Sequence, residues 1–422
     1  MIYILLIYIG MIFTDLPLAG LIGTIGSSVM LLVAPLLSIL IVYKHQLKYR
    51  GTYISNLFLY YFIVTFFTSM IIFIYYSIAN NTMYTPYGQL ILIKLINASI
   101  YNLIYFLAYF ATIYSLIKIN LQQIHKSFLF FYLLLMVVGL IEILNKDILN
   151  LIHLAPNDYG RLRLTTSEPS RAIFELVIIS LLILMTLQNK LLKIIIVLVM
   201  FFFSVMIASK GGILFLSVSI LWIYLLGTSL KQKIVFSIVM IPIIFGFGHL
   251  ISTIVIPGLL NDIGSFASTS TRLITTVWAL LSLFYFPFGE GYGTYMCYFQ
   301  DMLLKSTDFI TKISPIPLST IEIDSMIKTG MNVGAKSGIL FQIVQNGILA
   351  VIFFYLLFHR TWKNIKLLNT SEFNKKIMQL ILIYTILTLL FGANMEVLYI
   401  YLLPIAYIEA ILIKQKRIDN LC

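Results

Sequence analysis

Residues 54–79 read ISNLFLYYFIVTFFTSMIIFIYYSIA, a run of 26 without a charged side chain. About 20 apolar residues in a helix cross the hydrocarbon core of a bilayer. A strand of a membrane β-barrel would instead alternate apolar and polar residues over about ten positions. This run is continuous, so it predicts a membrane-spanning helix. Comparable runs flank it along the chain, at 2–14, 24–43, 93–117, 127–145, 171–188, 191–208, 211–228, 233–250, 338–358, 376–393 and 397–413. The expected fold is an all-α integral membrane protein. It forms a single polytopic domain, 1–422, with about 12 transmembrane helices, the first of them short. Composition agrees: 60% of the 422 residues are hydrophobic, 10% are charged and the mean hydropathy is +1.00. A soluble domain carries about 25% charged residues.

The net charge of +12 would suggest nucleic acid in a soluble protein; here the question is where the positives fall. Short connections hold Lys44, Lys48 and Arg50; Lys118 and Lys126; Lys190 and Lys193; Lys231 and Lys233; Arg360 to Lys376; and the tail Lys414, Lys416 and Arg417. These are nearly free of acids. The positive-inside rule makes them cytoplasmic, which puts both termini inside and requires an even number of spans. The opposite face carries two long loops, 145–170 and 251–337, and the second is large enough to form a small structure of its own. Chemistry usually sits on elaborated loops held by a rigid scaffold, so the active face is expected outside. Met1 to Phe13 lacks a basic leader and a cleavage site, and reads as a retained span. No internal repeat is evident.

Four segments on the outer side carry cations. The first is Arg161-Leu-Arg163-Leu-Thr-Thr-Ser167-Glu168-Pro169-Ser170-Arg171, with Glu175 one turn later. Pro169 with Ser167 or Ser170 marks a helix start. A helix N-terminus and three arginines suit a phosphate or diphosphate. A plainer role is pairing with Glu168 and Glu175 or contact with lipid headgroups. The second segment is Ser209-Lys210-Gly211-Gly212, a tight turn whose lysine either serves a ligand or snorkels. The third runs from Thr271-Arg272 through Trp278 to Pro287-Phe288-Gly289-Glu290-Gly291-Tyr292-Gly293. Its alternating glycines allow a sharp turn and close approach to a ligand. With no strand–helix unit around it, this is no nucleotide site. The fourth opens the 338–358 span with Lys336-Ser337-Gly338, followed by Gln345-Asn346-Gly347.

Other polar residues say less. Asp262, Asp301, Asp308, Glu322 and Asp324 read as a solvated loop; Glu322-Ile-Asp324 lacks a third metal ligand. Glu142 and Glu396 lie in or near spans and are functional suspects on that ground. Glu409, near the basic tail, is expected to snorkel. The five histidines form no metal-like cluster. Cys297 and Cys422 define neither a disulfide framework nor a metal site.

In this order, the four cation-bearing segments resemble the Wzy-type O-antigen polymerase and O-antigen ligase group of bacterial polysaccharide enzymes, over roughly residues 155–360. Ser209-Lys210-Gly211-Gly212 is similar to that group's Ser-Arg-Gly turn, with lysine for arginine. Arg272, Trp278, Pro287, Gly289, Gly291 and Gly293 match its arginine–tryptophan–glycine pattern. At the fourth segment Lys336 and Gln345 stand where the group often has histidine and glutamate.

The resemblance implies a metal-independent glycosyltransferase, without cofactor, in the bacterial inner membrane. It would polymerise undecaprenyl-diphosphate-linked repeat units into O-antigen or a related polysaccharide at the periplasmic face. Arg163, Arg171, Lys210, Arg272 and Lys336 would bind diphosphate, and Glu168, then Glu290, are the candidate bases. The implied partners are the carrier-linked donor and acceptor, membrane lipids and a chain-length regulator, with no nucleic acid. The rivals are an O-antigen ligase and a lipid-linked glycan flippase or transporter.

Overall fold

The computed structural model describes residues 2–14, 16, 28–45, 51–145, 150, 153, 161–166, 168–227, 267–313, 318–331, 333–392 and 398–419. The expected span 233–250, most of the loop 145–170, Ser167, Asp262 and Glu396 lie outside them. Among the described residues the regular structure is helical, apart from two isolated bridges, Thr14 to Ser28 and Tyr84 to Leu90. The helices are α1 (Ile2–Ile12), α2 (Met30–His45), α3 (Tyr53–Asn80), α4 (Ile91–Lys118), α5 (Leu121–Leu144), α6 (Pro169–Thr186), α7 (Lys190–Ile207), α8 (Lys210–Gly227), α9 (Ala267–Tyr285), α10 (Tyr295–Ile313), α11 (Ile321–Thr329), α12 (Gly338–Asn346), α13 (Ile348–Leu367), α14 (Glu372–Phe391) and α15 (Leu402–Asp419). Six of them, α3, α4, α5, α6, α7 and α14, are long and apolar enough to cross a membrane.

Local chemistry sets several boundaries. Asn120 accepts the Gln123 amide at 2.8 Å to open α5, and Asn189 accepts that of Leu191 at 2.8 Å to open α7. Each satisfies one of the unpaired N–H groups of a first turn. Ala208 ends α7 in the left-handed region, at φ 52°. Pro169 takes the first position of α6, where its missing N–H costs nothing.

The chain divides into two compact units, one of 1–62, 100–219 and 354–422, the other of 63–99 and 220–353. In the first, α6 is buried on nearly every side, with α5, α7 and α14 packed on it. An all-round apolar helix belongs in such a place. Here α1 packs on α2 and α5, and α14 on α15. Glu409 of α15 corrects its sequence reading. It is 5% exposed and does not snorkel. Its carboxylate accepts the Thr52 hydroxyl at 2.8 Å, the Ile54 amide at 3.4 Å and the Tyr109 hydroxyl at 2.5 Å. It thus adds to the cap at the start of α3, where the Thr52 hydroxyl also accepts the Ser55 amide at 3.2 Å.

In the second unit α9 is the centre, with α10, α11 and α12 against it. Three helices, α9 to α11, therefore occupy the described part of the 251–337 loop. α10 buries Met296, Phe299, Met302, Leu303, Ser306 and Ile310 along one face, at helical spacing.

The stretch 338–358, read as one span, is a broken helix. Gly347 separates α12 from α13 at φ 54°, ψ −132°, a conformation open to glycine and little else. Breaking a helix frees backbone groups that must find partners. The glycine loop supplies them: Glu290 N–H donates to the Val344 carbonyl at 2.8 Å, Gly291 N–H to that of Gln345 at 2.9 Å, and Ile348 N–H to that of Pro287 at 2.8 Å.

Candidate functional site

In the first unit the loop before α6 is built around Glu142, a fully buried residue of α5. Its carboxylate accepts the Arg163 amide at 3.0 and 2.9 Å and the Leu164 amide at 2.9 Å. The Arg163 Nε lies 3.9 Å from it. Arg163 Nη2 donates to Asn150 Oδ1 at 2.8 Å. These bonds hold Leu164 at φ 53°, a conformation that costs an L-residue about 1–2 kcal/mol. Thr165 donates to Glu175, also fully buried, at 2.7 Å, and Thr166 to the Glu168 carbonyl at 2.8 Å.

Glu168 is the residue before α6, and its side chain is 53% exposed. Arg171 Nε lies 3.6 Å from its carboxylate, and the Ser170 hydroxyl 3.3 Å. A Cβ on Gly212 would collide with the Ile173 side chain, so the first turn of α8 lies against the first turns of α6. Lys210 opens that turn and is exposed. Arg163, Glu168, Arg171 and Lys210 are therefore gathered at one end of α6. Arg171 pairs with Glu168, as the plainer sequence reading allowed, while Arg163 lies against Glu142, 21 residues back.

In the second unit Arg272, half-buried, lies in the second turn of α9. Its carbonyl accepts the hydroxyls of Thr275 at 3.2 Å and Thr276 at 2.7 Å. The Lys336 amide reaches the Thr275 hydroxyl at 3.5 Å, which brings Lys336 to the same end of α9. The Lys336 ammonium is paired with Glu322 at 2.8 Å, both side chains about a third exposed. Asp324 accepts the Thr320 hydroxyl at 3.0 Å. Among the described residues no three His, Cys, Asp or Glu side chains converge as a metal cage.

Glu290 belongs to the loop after α9, packs against the far turns of that helix and is fully buried. One carboxyl oxygen accepts Trp278 Nε1 at 2.9 Å and the Ser282 hydroxyl at 2.5 Å. The other has no hydrogen-bond partner. Burial pushes this carboxyl up from 4.5 to about 8, and the bonds from Ser282 and Trp278 offset only part of the rise. At neutral pH it is largely protonated and closed to any substrate. Glu168 is the candidate base that stands open.

The glycines of this loop make close approaches, but to the chain itself. Gly289, Gly291 and Gly293 have φ of 89°, 80° and 80°. A Cβ on Gly289 would strike the backbone of Gln345 and Asn346, and one on Gly293 that of Ile91 and Leu95. Between them Tyr292 is fully buried and donates to Thr65 at 3.1 Å. Asn346 Nδ2 lies 3.2 Å from the Tyr292 oxygen and 3.0 Å from Gln342 Oε1. This polar network went unread in the sequence, where only the glycine spacing around Tyr292 and the Gln-Asn-Gly run hinted at it.

The structure thus assembles the seven candidate residues into two groups. Arg163, Glu168, Arg171 and Lys210 belong to one unit, and Arg272, Lys336 and Glu290 to the other. Compared with protein-family models, curated proteins and solved structures, the chain matches none.

Proposed function

We propose that the chain is a glycosyltransferase that polymerises undecaprenyl-diphosphate-linked oligosaccharide repeat units at the outer face of the bacterial inner membrane, through about 12 spans and with both termini cytoplasmic. The observation that carries this reading is an exposed carboxylate, Glu168, beside Arg171 at the N-terminus of α6, with Lys210 opening the turn of α8 that packs on the first turns of that helix. Four sequence segments were singled out for their cations. They gather into two clusters, and a polymerase handles two carrier diphosphates, one on the donor and one on the acceptor.

The chemistry follows from these groups. A sugar hydroxyl of the acceptor attacks the anomeric carbon of the donor, and a new carbon–oxygen bond forms. The bond from that carbon to the diphosphate oxygen breaks, and the diphosphate leaves with the electron pair. Glu168 takes the hydroxyl proton as it is lost. Cations already fixed in place stabilise the charge that grows on the leaving diphosphate. Arg163, anchored to Glu142, positions the loop that presents Glu168.

An O-antigen ligase would use the same chemistry with a different acceptor. A transporter is favoured by one observation, the broken helix at Gly347, since interrupted helices mark many transport sites. We rank it second because the glycine loop takes up the groups that the break releases.

The test is a surface-glycan gel from the host after gene deletion and complementation. Loss of the ladder to core plus a single repeat, restored by wild type and not by Arg272→Ala, supports the polymerase. Bare core with accumulated carrier-linked polymer supports the ligase. An unchanged ladder removes both.

A further inference from the structure

In the first unit a cavity of about 220 Å³ lies among α1, α2 and α4. By volume it has room for about seven waters, a size that suits a headgroup with the start of its chains. Ile4, Ile41 and Ile119 give it apolar wall, and Tyr3 and Tyr114 add aromatic faces. Lys44 and Lys118 line it from the last turns of α2 and α4, both exposed. The Lys44 ammonium lies 5.9 Å from the Tyr3 ring centre. Among the described residues neither lysine is ion-paired with a carboxylate.

A lysine near a helix C-terminus is favoured by the helix dipole alone, so the two cations would carry little by themselves. Ser115 is the independent observation. It lines the same cavity, is 6% exposed, and its hydroxyl has no hydrogen-bond partner. Elsewhere in α4, Ser99 and Thr112 return their protons to the carbonyl one turn back, at 2.7 and 2.6 Å. Ser115 does not, although a buried hydroxyl without a partner is costly. A ligand that offers anionic oxygens to one donor and two ammonium groups, and an apolar remainder to the isoleucines, satisfies all of them.

We propose that this cavity binds an anionic glycerophospholipid, with its phosphodiester between Lys44, Lys118 and the Ser115 hydroxyl and the start of an acyl chain along Ile4 and Ile41. Two lysines near an anionic headgroup favour it over a zwitterionic one by about thirtyfold. The site is independent of the candidate residues around α6 and α9.

The experiment is native mass spectrometry of the full chain in detergent, with phosphatidylglycerol or phosphatidylcholine titrated in and the first bound lipid read. Wild type should prefer phosphatidylglycerol by about thirtyfold. Lys44→Gln with Lys118→Gln should reduce the preference to near one, and Lys363→Gln with Lys366→Gln should leave it unchanged. Ile41→Trp fills the cavity while keeping both lysines, and should lose the preference as well. Equal binding of the two lipids by wild type would overturn the proposal. So would a preference that survives Ile41→Trp, whether or not the double lysine variant folds. Displacement of phosphatidylglycerol by millimolar inorganic phosphate would also overturn it, since it would reduce the site to an anion site.

Discussion

Two loops, one in each unit, are each fixed by a buried glutamate, and they use it in opposite ways. The loop before α6 is held from outside, by Glu142 on α5, with the Arg163 and Leu164 amides on its carboxylate and the Arg163 guanidinium beside it. The loop after α9 carries its own glutamate inward. Glu290 is held by Trp278 and Ser282, with no cation paired to it among the described residues, and its carboxyl is pushed up to about 8. A buried acid needs either a counter-charge or a proton. The first loop has the counter-charge and leaves Glu168 exposed at the surface beside Arg171. The second keeps the proton, and its acid serves as a peg for the glycine turn.

The sharpest way to break the comparison is to remove the outside anchor. Glu142→Ala deletes the acceptor of two loop amides and leaves Arg163 buried without its counter-charge, at a cost of about 3–5 kcal/mol. Purified protein should show a large fall in thermal midpoint or fail to accumulate. A near-normal midpoint would mean that Glu142 does not organise the loop.

Next in size is Gly347→Ala. A methyl group there meets the Pro287 carbonyl and the Gly289 amide, and the conformation itself is strained for alanine, at about 3 kcal/mol. Thermal unfolding and protease sensitivity of the 286–293 loop should both report it. An unaffected loop would show that the break and the glycine turn do not depend on each other.

A pH titration, whose effect over any single pH unit is the smallest of the three, sharpens the contrast between the two acids. Because the folded-state value of Glu290 is raised, the folded state holds its proton where the unfolded chain has lost it. Its contribution is full below about pH 4.5 and is lost as pH rises to about 8. The slope is at most about 1.4 kcal/mol per pH unit. Glu290→Gln keeps the neutral shape and should flatten this slope, so that the variant equals or exceeds wild type in thermal midpoint at pH 8. An unchanged pH dependence would place Glu290 in a wetter or charge-paired setting.

The helices were legible because unbroken apolar runs leave little alternative to a helix. The break at Gly347 was not, since α12 and α13 each read as apolar and the interruption depends on a loop some 55 residues earlier. Pro169 and the residues around it located the start of α6 correctly. The plainer reading of the arginines, pairing with Glu168 and Glu175, holds for Arg171 and Glu168, whereas Arg163 lies against Glu142, which the α5–α6 packing brings to it and sequence proximity could not show. Glycine spacing marked the second loop, but could not tell close approach to a ligand from close approach to the chain's own backbone. Lys336 likewise read as a free cation until α11 folded Glu322 against it.

The most direct measurement is the glycan ladder of a deletion host carrying either Glu168→Gln or Glu290→Gln, with protein levels matched. The ladder should collapse with Glu168→Gln, by about 10²–10⁴-fold in polymerisation rate, and should persist with Glu290→Gln. A ladder that survives Glu168→Gln and disappears with Glu290→Gln at normal protein level would contradict the account.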